Sequence, residues 1–144
     1  VAVGVKRLLF GGSAVFGLSA AVATFLANVY WLNAPLVPDL EGYRQETVWD
    51  DVLPALVTGL SAEALFLVLF GYASLRLGRS GVISYLVVNA AAAAWTCFIQ
   101  VTNADPANYA GWAALAIVYV FAAPVVLGIT LLIIWGAKRE RLAA

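Results

Sequence analysis

The sequence predicts an all-α fold, an integral membrane four-helix bundle with its N and C termini in the cytoplasm. Three observations predict it. The first is composition: 64% of residues are apolar, only 11% are charged and mean hydropathy is +0.94, whereas a soluble domain is about a quarter charged. A core built from 144 residues is too small to hide that much apolar surface. The second is length. The apolar residues fall into four stretches, each close to the roughly 20 helical residues that cross a hydrocarbon core about 30 Å thick. The third is the sorting of charge between the gaps. Lys6, Arg7, Arg76, Arg79, Lys138, Arg139 and Arg141 lie at the start, middle and end of the chain. Asp39, Glu41, Glu46, Asp50, Asp51 and Asp105 lie in the two remaining gaps.

The first span covers about residues 8–30, longer than a signal-peptide apolar region, and reads as a retained helix. The second covers about 52–75, preceded by Asp50 and Asp51 as helix-start residues, with Pro54 in its first turn. The third covers about 82–101 after Ser80, and the fourth about 112–136 after Asp105 and Pro106. Strands are not expected, because no segment alternates and four segments cannot close a barrel. Tyr30, Trp31, Trp49, Tyr109 and Trp112 at one level, and Tyr72, Tyr85 and Trp135 at the other, have the amphipathic rings that favour headgroup depth. Positive charge beside span ends stays inside. Loops 31–51 and 102–111 are therefore placed outside, and the basic ends and the turn between the second and third spans inside. The chain reads as one domain, residues 1–144, in the cell (plasma or inner) membrane.

Glu63 is the feature of most chemical interest. It lies near the middle of the second span, and no span holds a cation to neutralise it. An intramembrane carboxyl costs several kcal/mol unless paired or protonated, so the neutral acid is the expected resting form. Counting residues from the inner turn places Trp95 and Thr96 at its depth, as partners. A backbone carbonyl near Val120, freed by Pro124, is a further acceptor at that level. Tyr85, Asn89, Thr96 and Gln100 are spaced by four, seven and four residues and share one helical face. Ser13, Gly17, Ala21, Thr24 and Asn28 form a similar stripe on the first span. Small residues let helices approach closely, and hydroxyl and amide groups can bond across the contact. Glu63, Thr96, Trp95, Asn89, Gln100 and Asn28 are thus candidates for a proton, ion or partner contact. Ser13, Gly17, Ala21 and Thr24 are candidates for helix packing. Interhelical packing is the first reading for these stripes. The alanine run at 90–94 reads as a helix contact, and Phe66 and Phe70 as lipid-facing.

The sequence has no His and one cysteine, Cys97, which removes the commonest metal ligand and any internal disulfide. The outer acidic residues match no Ca²⁺ loop pattern. No nucleotide loop, zinc spacing or nucleophile motif is present, so no catalytic residue is named. No metal or cofactor is expected, and bound lipid is the one molecule admitted. The net charge of +0 offers no basic field for nucleic acid. The expected partners are the lipid bilayer and either other membrane subunits or copies of the chain. The expected function is that of a non-catalytic membrane subunit of a larger complex, packing against partner subunits or lipid. The alternative is a small homo-oligomeric proton- or cation-coupled transporter or channel that uses Glu63.

Overall fold

The computed structural model describes residues 3–30, 47–102 and 121–143, without the side chains of 99–102. All described secondary structure is helical: α1 (Val3–Tyr30), α2 (Val48–Phe66), α3 (Tyr72–Arg76), α4 (Arg79–Thr102) and α5 (Ala123–Ala143). A π-helical turn, Leu67–Gly71, joins α2 to α3, so these form one continuous rod, Val48–Arg76. Three helices, Val3–Tyr30, Val48–Arg76 and Arg79–Phe98, are long and apolar enough to cross a membrane. The expectations for Asp105, Pro106, Val120 and both outer loops up to Glu46 lie outside the described residues.

The helices run past the expected spans, because charged side chains such as Lys6 can lie along a helix end and keep their heads in water. Two expected starts shift. Asp50 does not precede α2 but sits in its first turn, where its carboxylate accepts the Thr47 backbone N–H at 2.8 Å. Ser80 likewise lies inside α4. The α3–α4 turn is instead made by Gly78, whose φ of 73° is the left-handed conformation that glycine adopts without penalty.

α1 packs against both α2 and α4. Its buried residues include Leu9, Ser13, Gly17, Ala21, Thr24 and Asn28, a single face at three- and four-residue spacing. α1 and α2 are antiparallel, since Phe25 meets Trp49 at 5.9 Å between ring centroids while Gly17 meets Gly59 deeper along both. α1 and α4 run the same way: Gly12 lies against Leu86, and Cys97 Sγ reaches the Ser19 carbonyl at 3.7 Å. α4 returns along α3 and carries α5 beside it. Leu9, Leu77, Val82, Leu127 and Leu131 share one core cluster, and Lys138 donates to the Leu77 carbonyl. These contacts bring the start of α1, the Gly78 turn and the end of α5 together, and with them the basic residues.

Lipid tails are as apolar as leucine, so helices in a bilayer associate through close packing and polar contacts rather than through water release. Two glycine contacts supply the close packing. A side chain at Gly59 would run into the Gly17 carbonyl, and one at Gly81 into the Ser74 carbonyl. Gly59→Val should therefore force α1 and α2 apart and cost at least about 2 kcal/mol by overpacking. Gly11 has nothing within 4 Å of an added methyl, so Gly11→Ala should leave stability unchanged or higher. Thermal unfolding of the two variants in detergent micelles compares them directly.

Candidate functional site

The described polar side chains divide into those satisfied within their own helix and those that bond across helices. Thr24 donates to the Ala20 carbonyl and Asn28 to the Thr24 carbonyl, each at 2.8 Å. Thr96 donates to the Ala92 carbonyl at 2.8 Å. Each bond is of the i to i−4 kind that hydroxyl and short amide side chains make on a helix.

Side chains that bond one another across helices join α1, α2 and α4. Asn89 Nδ2 donates to Glu63 Oε2 at 2.6 Å. The two residues are 0% and 3% exposed. One turn along α4, the Tyr85 hydroxyl lies 3.0 Å from Ser13 Oγ. The Tyr85 ring meets Phe66 at 5.5 Å, and Phe66 meets Phe70 at 5.1 Å. Gly17 completes the enclosure: a methyl group there would lie 3.3 Å from Glu63 Cγ. One carboxyl, one amide, one phenol and one hydroxyl thus share the interface of three helices, with aromatic rings beneath them.

The expected meeting of Glu63 with Thr96 and Trp95 is corrected. Thr96 is bonded within its own helix. Trp95 is 43% exposed and stacks on Phe98 at 6.0 Å. The register is displaced for two reasons. The turn is tighter than the sequence count assumed, because α4 already begins at Arg79. The π turn at Leu67–Gly71 also inserts a residue into the rod, so Glu63 lies closer to the turn than an unbroken α-helix would put it. Ser74 therefore opposes Gly81, Phe66 opposes Tyr85 and Glu63 opposes Asn89. Two aromatic expectations change as well. Tyr85 and Phe66, expected at the headgroup level and facing lipid, are 0% and 4% exposed. Of the other candidates, Ser13 and Gly17 belong to the cluster, and Ala21 is buried against Val48 and Val52. Ala92 and Ala93 are the buried members of the alanine run. The Gln100 side chain is outside the described residues.

Glu63 Oε1 and Asn89 Oδ1 are buried without a hydrogen-bond partner. A carboxylic acid and a primary amide are complementary groups: the acid O–H can donate to the amide oxygen while the amide N–H donates to the acid carbonyl. One proton on Glu63 would convert one of the two unmatched acceptors into a donor. Ser74 Oγ is also without a partner, and the carbonyl of the same residue lies against Gly81. Among the described residues, grooves open on outer faces between α1 and α4, α4 and α5, and the rod and α5. None of the three is lined by Glu63. Among the described residues no group of three or more His, Cys, Asp or Glu could hold a metal ion. Compared with protein families, curated proteins and solved structures, the chain matches none.

Glutamine keeps an acceptor oxygen and supplies an N–H in place of the acid O–H, with one N–H more, so Glu63→Gln should cost no more than about 1 kcal/mol. Asn89→Leu leaves the carboxyl buried with no match and should cost about 1–3 kcal/mol. Joined in one chain, the two changes should be non-additive, as residues in direct contact are. Unfolding midpoints of the four proteins in one detergent provide the cycle.

Proposed function

We propose that the chain is a non-catalytic membrane subunit: a four-span helical bundle in the cell membrane that packs against lipid and partner subunits. The observation that carries this reading is the internal use of Glu63. The one carboxyl at mid-span is bonded to Asn89 and 3% exposed. Among the described residues, none of the three grooves is lined by Glu63. A group used in this way fixes helix positions, as intramembrane hydrogen bonds do. Meanwhile the outward surface is broadly apolar: Val57, Leu65, Val68, Leu132 and Ile133 are each at least 60% exposed. That surface suits lipid and the helices of other subunits.

Both termini and the Gly78 turn belong on the cytoplasmic side by the distribution of Lys and Arg. The convergence of these three ends supports placing them on a single side. The alternative, proton- or cation-coupled transport between copies, has one observation in its favour, the unpartnered Oε1 of Glu63.

Two measurements test the proposal. With Cys97 replaced by Ser, a cysteine at position 33 should react with a membrane-impermeant maleimide on intact cells, and one at position 140 only after permeabilisation. Reversed labelling sinks the orientation. Chain captured from native membranes in mild detergent should bring stoichiometric membrane proteins with it, and reconstituted chain should carry no proton or cation flux. A lone monomer sinks the subunit reading, and flux abolished by Glu63→Gln would put transport in its place.

A further inference from the structure

The groove between the rod and α5 joins an apolar channel to basic charge, as the groove between α1 and α4 does at Arg7, and it also carries the rings of Phe70 and Trp135. It encloses about 570 Å³ and is lined by Phe70, Ala73, Gly128, Leu131 and Trp135, with Arg76 at its edge. There is space beside Gly128, where a methyl would meet nothing nearer than the Phe70 ring at 3.9 Å. The volume falls in the range of sites that hold small ligands. Its walls are mainly apolar.

Arg76 lies over the Tyr72 ring, 5.9 Å from its centroid, and reaches the Tyr72 hydroxyl only at 3.5 Å. No carboxylate among the described residues pairs with it. Lys138 holds its ammonium at the Leu77 carbonyl, directly after Arg76 in the chain. Arg139 lies over Trp135, 5.4 Å from the ring centroid. Tyr72 and Trp135 are exposed, as aromatic anchors at headgroup depth are. Arg76 thus lines the groove, and Lys138 bonds the carbonyl of Leu77, another of its lining residues.

We propose that this groove binds an anionic phospholipid, one acyl chain along Phe70, Gly128 and Leu131, and the headgroup phosphate held by Arg76 and Lys138. Arginine offers a planar fork of donors that fits phosphate oxygens, and lysine adds a point charge. Charge complementarity selects the anionic class; a zwitterionic lipid carries its own cation into the same place. The proposal rests on the chain residing in a membrane, which extraction of membranes with alkaline carbonate tests separately: wild type and variants should stay in the pellet.

The test uses the full chain in neutral detergent, mixed with equal amounts of phosphatidylglycerol and phosphatidylcholine of matched tails, and reads retained lipid by native mass spectrometry. Wild type should retain mainly phosphatidylglycerol. Arg76→Gln should lower the preference about fivefold and the Arg76→Gln, Lys138→Gln pair about twenty-five-fold, from the contribution of each basic residue near an anionic surface. Gly128→Phe should fill the channel and reduce retention of both lipids. Unfolding midpoints verify that each variant is folded, and Arg76→Gln, at an exposed residue, serves alone if the pair is not. Equal retention of the two lipids by wild type overturns the proposal. So does a preference unchanged by the charge variants, or retention unchanged by Gly128→Phe.

Discussion

In a bilayer the matching of buried polar groups becomes the main constraint on how helices meet, because apolar faces gain little by leaving lipid for one another. Here that constraint centres on Glu63. Its carboxyl has to be satisfied by the protein, and Asn89 from another helix satisfies one of its oxygens. The bond fixes α4 against α2, and Gly17 allows α1 to close over the same carboxyl. The Ser13–Tyr85 contact continues the arrangement toward the turn. Three helices are thus registered by two polar contacts and one glycine crossing.

Other polar groups leave helix register free. Thr24, Asn28 and Thr96 return their donors to their own helices, so they remove a desolvation cost without choosing a neighbour. This split explains how a polar stripe on one face can look uniform in the sequence and act unevenly in the fold. Glu63 and Asn89 specify an interface; Thr96, seven residues beyond Asn89 on the same face, merely tolerates one.

The outward surface follows the opposite logic. It is apolar along the spans and basic where α1 begins, where α3 turns into α4 and where α5 ends. Tyr72 and Trp135 mark the boundary between these regions, and each carries an arginine near its ring. Among the described residues, polar groups are thus buried between helices while the outer surface along the spans is apolar.

Much of this was legible in the chain itself. Apolar stretches about a bilayer in length established the helices, and residues three and four apart established which face of α1 is buried, because helical periodicity is a local property. The position of Glu63 at mid-span was equally readable, since apolar residues flank it on both sides. Its partner was not. Whether Glu63 faces Asn89 or Thr96 depends on the length of the Gly78 turn and on the extra residue spent in the π turn. Neither leaves a periodic signal, and each shifts every later pairing. Tyr85 pointing inward and the Gly17–Gly59 crossing were likewise decided only by the tertiary structure, because register between helices is set by non-local contacts.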